Sequence, residues 1–258
     1  MNRGEIDEIL CILRLVEMRQ KRIPFFSQTI NSIKCNGTEL NNLPNSICLA
    51  ELNDKSKLIE TAKFCKIQKA SSGAKSDVQV NGLGYSIKSK RSAPPTILNH
   101  TARPGFVKVC DRIGVSIEKL DIIISDYWKK RYDGLIKEDV KNSHEHSPFK
   151  NHMNYLRPIL NYFLFVGTGQ KDSPYPAESI ISFEEPLKNK KWVLFNKENA
   201  LEYFWDKLVF SLRSKKGMPN GYPNKMSKVA LKNKSSIDKW TEFIDGDYRG
   251  ALHIRISK

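Results

Sequence analysis

At 258 residues, with 40% hydrophobic and 10% aromatic content, the chain can build one large globular domain or two small ones, which excludes a wholly disordered polymer. Its 43 Lys and Arg against 28 Asp and Glu leave a formal charge of +15, whose self-repulsion points to a polyanionic partner, nucleic acid ahead of a membrane surface. Five cysteines (Cys11, Cys35, Cys48, Cys65, Cys110) form no CxxC pair, which argues against a zinc ribbon or a disulfide framework and fits a reducing cytoplasm. With no signal peptide and no uncharged apolar stretch of about 18 residues, a soluble protein of the bacterial or archaeal cytoplasm is expected, with no membrane partner.

In chain order, Ile6, Ile9, Leu10, Leu13 and Val16 predict an amphipathic helix over 5–19. Residues 24–47, with Asn36-Gly37 and Leu43-Pro44-Asn45, read as irregular structure, and a second helix is expected over 51–66, carrying Leu52, Ile59 and Phe64. A β-hairpin follows at 74–92. Beyond the Pro94-Pro95 loop, Val109, Cys110, Ile113 and Ile117 predict helix within 106–132, interrupted at Gly114. Residues 133–152 are polar and read as a surface excursion; its His144, His146 and His152 have no Cys partner, so a surface loop is preferred to a metal site. The apolar run 162–166 reads as a buried strand ending at Gly167-Thr168-Gly169, a turn that lacks the Lys-Ser/Thr of a phosphate loop. Strands are expected at 179–183, 192–195 and 251–256. A helix is expected over 199–210, its stripe formed by Leu201, Phe204, Trp205, Leu208 and Val209, with Phe204 and Trp205 in the core. The fold class is α/β, a central mixed β-sheet flanked by helices, in a single domain over 1–258.

The hairpin carries the chemistry. Val78 and Val80 alternate with Asp77 and Gln79, Asn81-Gly82 marks a tight turn, and Leu83, Tyr85 and Ile87 alternate with Gly84, Ser86 and Lys88. A two-residue loop sets Asp77 opposite Ser86; a four-residue loop sets it opposite Lys88. Either puts Asp77, Ser86 and Lys88 on one face, while an odd loop or a bulge breaks that parity. Such a set suits phosphodiester hydrolysis: a carboxylate to hold a divalent cation, and a lysine to position water and neutralise charge on the phosphate. Taken alone, the hairpin reads better as an amphipathic surface element, because alternating polar faces are ordinary in antiparallel sheets; it is the basic stretches that favour the catalytic reading.

Positive charge is concentrated in two stretches. From Gly84 to Arg112 there are six cations, among them Lys90, Arg91 and Arg103, against one acid; from Leu212 to Lys239 there are eight against one. The second stretch contains Arg213, Lys215, Lys216, Lys228, Lys232 and Lys234 for phosphates, Asn220, Asn224 or Asn233 for base edges, and Tyr222 for stacking, so 205–258 reads as a DNA-recognition region. Asn99 and His100, just after the hairpin, are further candidates for contact with DNA.

Ser76-Asp77 followed by Tyr85-Ser-Ile-Lys-Ser89 resembles the core of the PD-(D/E)xK nucleases. With Ala93-Pro-Pro-Thr-Ile-Leu-Asn99 after it, the segment is similar to type II restriction endonucleases of the HpaII kind, and Leu252-His-Ile-Arg-Ile256 is a weaker echo of their terminal strands. The resemblance implies a restriction-endonuclease-like core and Mg²⁺-dependent, sequence-specific cleavage of double-stranded DNA. It further implies a cognate DNA methyltransferase encoded nearby and admits a homodimer. Asp77 would be a metal ligand, the Ile87 carbonyl a further oxygen donor, and Lys88 the lysine that orients water. Ser76 replaces the motif proline, which carries no chemistry. Ser86 stands where a second acid is expected, and a hydroxyl is a poor substitute for a carboxylate around a hard cation. Glu51, Glu60 and Glu118 are candidates for the missing acid, with Glu60 preferred as catalytic residue and metal ligand. The alternatives are a repair or mobile-element nuclease on the same core, and a non-catalytic basic nucleic-acid-binding protein.

Overall fold

The structure, a computed structural model, describes residues 1–52, 54–91, 95–214 and 237–257. In chain order the elements are α1 (Arg3–Gln20), β1 (Ile33–Cys35), β2 (Thr38–Glu39), α2 (Lys55–Phe64), β3 (Val78–Val80), β4 (Leu83–Ser89) and β5 (Thr96–Ala102). Then come α3 (Arg103–Ile113), α4 (Glu118–Tyr132), β6 (Val140–Lys141), α5 (Met153–Asn161), β7 (Ser179–Phe183) and β8 (Val193–Asn196). The last are α6 (Ala200–Phe204), β9 (Leu208–Ser214), β10 (Glu242–Ile244) and β11 (Asp247–Ile256). The protein is mixed α/β. Residues expected to form one domain are distributed over two compact units: Met1–Pro95, Phe165–Gly167 and Lys171–Ala200 form the first, and Thr96–Leu164, Thr168–Gln170 and Leu201–Lys258 the second. Among the described residues no helix is long and apolar enough to cross a membrane.

The first unit is a six-stranded mixed sheet in the order β2-β1-β3-β4-β7-β8. Its one parallel pairing joins β4 to β7, with Lys88 level with Ser182, and every residue of β7 is buried, as befits a central strand covered on both faces. Helix α1 starts at a capping box in which the Asn2 side chain accepts from Glu5 N–H at 3.0 Å and Asn2 N–H donates to the Glu5 carboxylate at 2.9 Å. Its Cys11, Leu15 and Met18 share a core with Val78, Val80, Tyr85, Ile87, Ile181, Phe183 and Trp192.

The hairpin has the two-residue loop. Val80 pairs with Leu83 and Val78 with Tyr85, and Asn81 and Gly82 take φ of 51° and 84°, the paired left-handed conformations of a type I′ turn. Gly84 is required for a different reason. A Cβ there would lie 2.0 Å from the Pro176 carbonyl oxygen and 2.9 Å from Ser76 Cβ. Gly84→Ala is therefore expected to destabilise the protein by about 1–3 kcal/mol or more, because the clash is with backbone that cannot rotate away. A urea midpoint equal to the parent's would refute this.

The second unit has a sheet in the order β10-β11-β9-β6, with β5 on the other edge of β11. Phe106, Trp240, Tyr127, Phe149 and Phe210 fill its core, and Phe204 and Trp205 are buried there as expected.

Several boundaries differ from the sequence reading. The 162–166 run is not a strand: Tyr162–Val166 continues α5 as a π-helical turn. A short apolar run has no period that separates buried strand from buried helix, and here the preceding helix decides. The helix expected over 199–210 ends at Phe204, because Val209 and Phe210 are drawn into β9 between β11 and β6. Strand β5 was not read at all, and 24–47 contains the small β1–β2 hairpin. Gly114, at φ 68°, ends α3 as the interruption expected there.

Candidate active site

All members of the site belong to the first unit. Asp77 sits where β3 begins. Its N–H donates at 2.9 Å to the carbonyl of Tyr85, the residue already paired with Val78, so Asp77 lies just outside the regular β3–β4 register and does not extend it. The Asp77 carboxylate turns across the end of β3 and accepts from Ile87 N–H at 2.6 Å and from the Ser86 hydroxyl at 3.4 Å. Along a strand the N–H and C=O of one residue leave by the same edge. The Ile87 carbonyl therefore shares the edge of its N–H, at the open end left where β3 stops. Lys88 follows on β4, and among the described residues no carboxylate is paired with its ammonium.

The acid beside this cluster is Glu8, on α1. Burial and the adjacent charge of Asp77 push its carboxyl up to about 7, with Lys88 pulling partly the other way. The field of the same acids reaches the buried Cys11 thiol, raised by burial and then by Asp77, Glu8 and Asp7. Glu8 also lines a small cavity of about 130 Å³ with Glu5, Ile9, Ile67, Gln68 and Lys69, which neither Asp77 nor Lys88 lines. Glu60, the acid preferred from the sequence, is exposed on α2, and Glu118 is exposed at the start of α4 in the other unit. Glu51 is likewise exposed. Glu8 is the acid whose carboxyl feels both Asp77 and Lys88. A signal was present: Glu8 is in helical phase with Cys11, Ile12 and Leu15, so it is a carboxylate set into an apolar stripe.

Its position is enforced by its neighbour. Asp7 is 0% exposed. It accepts from the Ser89 hydroxyl at 2.5 Å, from Arg91 Nη2 at 2.6 Å and from Arg91 Nε at 3.3 Å, and Arg3 Nε lies 3.3 Å away. This network ties the first turns of α1 to the far end of β4, and so sets Glu8 against the strand that carries Lys88.

One more lysine belongs to the surroundings. Lys75 is half-buried, and burial together with the nearby charge of Lys88 pulls its ammonium down to about 8.

The two carboxylates suit a hard divalent cation. They are like charges held together in a partly buried place, which is the cost that raises Glu8, and a cation between them would relieve it. Among the described residues there is no group of three or more His, Cys, Asp and Glu side chains that could hold a metal ion.

The residues expected to touch DNA fall in several places. In the first unit Lys90 is exposed, with Glu184 at 3.9 Å, and Arg91 is held by Asp7. In the second unit Asn99 and His100 are exposed on β5, His100 at φ 42° with its ring 5.1 Å from that of His253. Arg103 forks onto Asp121 with two bonds of 2.7 Å, and Arg213 is bound to Glu138 and Asp139 at 2.8 and 2.7 Å. Lys215, Lys216, Asn220, Tyr222, Asn224, Lys228, Lys232, Asn233 and Lys234 lie outside the described residues.

No family model, curated protein or solved structure matches the chain.

Proposed function

We propose that the protein is a Mg²⁺-dependent, sequence-specific endonuclease that hydrolyses phosphodiester bonds of double-stranded DNA, a type II restriction enzyme on a PD-(D/E)xK core of the HpaII kind. The observation that carries this reading is the Asp77 carboxylate held by the Ile87 N–H and the Ser86 hydroxyl one residue from Lys88, with Glu8 on α1 within the field of both. Glu8 supplies the second carboxylate that Ser86 cannot.

In this reading Asp77, Glu8 and the Ile87 carbonyl would hold Mg²⁺. Bound there, Mg²⁺ would polarise the phosphoryl group and lower the pKa of water. Ser86 and the Ile87 N–H keep the Asp77 carboxylate oriented, which is the role left to a hydroxyl at that position. Lys88, with no carboxylate bound to it, is available to orient the attacking water and to balance charge that develops on the phosphate. The charge of +15 supplies attraction to the duplex that depends on salt rather than on sequence.

Plasmid and phage DNAs incubated with the protein are expected to give discrete fragments with Mg²⁺ and none with EDTA. Asp77→Ala should lower the rate on the order of 10³-fold or more, and Lys88→Ala about 10²- to 10³-fold, with duplex binding retained in both. Failure to cut unmethylated DNAs from several sources would refute the reading, and normal cutting by either variant would refute the assignment of residues.

A further inference from the structure

The second unit holds a pair of imidazoles that the hydrolytic set does not use. Along β5 and β11, Thr101 pairs with Leu252 and Leu98 with Ile254. Between those two pairs β11 has one residue, His253, and β5 has two, Asn99 and His100, so the ladder carries a bulge with the extra residue on β5. Leu252 and Ile254 are buried, and alternation along the strand sends His253 to the opposite face of the sheet. His100 takes φ 42°, a left-handed conformation that costs a residue with a side chain energy. Its ring lies 5.1 Å from that of His253, with 84° between the two planes.

A separate observation concerns His253 alone. Its Nδ1 is shielded from solvent and has no hydrogen-bond partner among the described residues. Buried polar atoms of native proteins are nearly all satisfied, and one that is not calls for a water or an ion. The neighbour across the sheet does not serve it: His253 pairs with Ser211 on β9, and the Ser211 hydroxyl accepts from Arg213 Nε at 3.0 Å. Arg213 and Arg255 flank the pair, but carboxylates answer both. Arg213 meets Glu138 at 2.8 Å and Asp139 at 2.7 Å, and Arg255 meets Asp139 at 2.7 Å. Burial, followed by the charges of His100, Arg213 and Arg255 and against that of Asp139, lowers the His253 pKa, which favours the neutral ring that a metal needs.

The spacing of the rings suits an ion between them. Bonds of about 2.0–2.1 Å from a tetrahedral ion to one nitrogen of each ring set the ring centroids about 5 Å apart. Rings so steeply inclined are not stacked, and each can present an edge to a common point.

We propose that His100 and His253 bind a zinc-like, late first-row divalent cation across the bulge, with water completing its coordination, and that the ion fastens β5 to β11 where their ladder is broken. Imidazole nitrogen selects such ions over Mg²⁺, which takes oxygen. Two protein ligands make a weaker site than the closed four-ligand centres of structural zinc. This site is independent of the nuclease reading.

Calorimetric titration of the untagged protein with Zn²⁺ alone, at about pH 7.5, tests it. His100→Asn and His253→Asn should each weaken binding at this site by at least about 100-fold, and excess Mg²⁺ should not compete. His144→Asn, which alters the other close pair of imidazoles (His144 and His146, rings 5.8 Å apart), should leave it unchanged. At about pH 5 protons compete for both rings and binding should be lost. His100 is exposed, so His100→Asn serves even where His253→Asn does not fold. Absence of Zn²⁺ binding, or Zn²⁺ binding that survives His100→Asn at the exposed Cys48 thiol or elsewhere, overturns the proposal.

A second measurement uses the unmodified protein. Acylation of its histidines by diethyl pyrocarbonate is followed by mass spectrometry with and without Zn²⁺. Protection of His100, with His152 unaffected, supports the site; equal labelling of His100 in both conditions overturns it. Neither measurement involves cleavage, so a protein that never cuts DNA would refute the nuclease reading and leave this site standing.

Discussion

Glu8→Gln should melt at a higher temperature than the parent at pH 8, and should lose cleavage. The two effects have one cause. In the folded protein, burial and Asp77 raise the Glu8 carboxyl from its ordinary value near 4.5 to about 7. Between those two values the folded state holds a proton that the unfolded state has released, so stability falls as pH rises through that window. Above about pH 7 the folded state carries the whole burden of an ionised Glu8 next to Asp77. Glutamine has the same shape and no charge, so the gain should be on the order of 1–3 kcal/mol at pH 8 and should vanish near pH 4.5.

Mg²⁺ should change the comparison. It should raise the melting temperature of the parent increasingly as pH passes 7, because a cation competes with the proton on Glu8, and it should do little for Glu8→Gln. Cleavage by the parent should rise over the same pH range, and the variant should be slower by at least about 100-fold. Thermal melts at pH 5 and pH 8, each with and without Mg²⁺, together with a pH–rate profile, measure all of this. A variant that melts lower than the parent at pH 8, or cuts as fast, would remove Glu8 from the site. A residue kept at a cost to stability is the pattern expected of function rather than of packing.

Asp7→Ala should have the opposite effect on stability. The Asp7 carboxylate is fully buried, and Ser89 and Arg91 converge on it. Removing it leaves Arg91 with an uncompensated, partly buried charge and cuts α1 loose from the end of β4. Such losses cost about 3–5 kcal/mol. Cleavage should fall as well, because Glu8 is the next residue on the same turn. Asp7→Asn, which keeps the shape and part of the hydrogen bonding, should be intermediate in both respects. Urea unfolding of the two variants decides the matter; a loss below about 1 kcal/mol for Asp7→Ala would mean that the network is no stronger than a surface ion pair.

The adjacent acids Asp7 and Glu8 also show how far a sequence can be read. Both lie in the helix expected over 5–19, and nothing local marks either, because what distinguishes them lies on other elements. Asp7 acquires its meaning from Ser89 and Arg91, and Glu8 from Asp77 and Lys88. Conversely, Arg91, Arg103 and Arg213 read as free cations for DNA, and each is bound to a carboxylate that folding brings to it. Charge density along a chain counts cations but does not show which of them are already neutralised.

The hairpin was legible because its determinants are local. A period of two, an Asn-Gly pair able to adopt two left-handed conformations, and a register set by that turn are sufficient to put Val80 opposite Leu83 and Val78 opposite Tyr85. By the same logic α1, the break at Gly114 and the strand β7 could be read from spacing and turn chemistry. The 162–166 run, the shortened helix at 199–204 and the strand β5 could not, because their state depends on which neighbour they pack against or pair with.

By itself, then, the sequence determined the hairpin, its two-residue turn and the register that follows from it. Only the tertiary structure decided that Asp7 is bound by Ser89 and Arg91 and that Glu8 lies in the field of Asp77 and Lys88. Turn geometry and strand alternation act over a few residues and are written in their order. A carboxylate on α1 feels one at the start of β3 only because both elements bury their apolar faces in the same core.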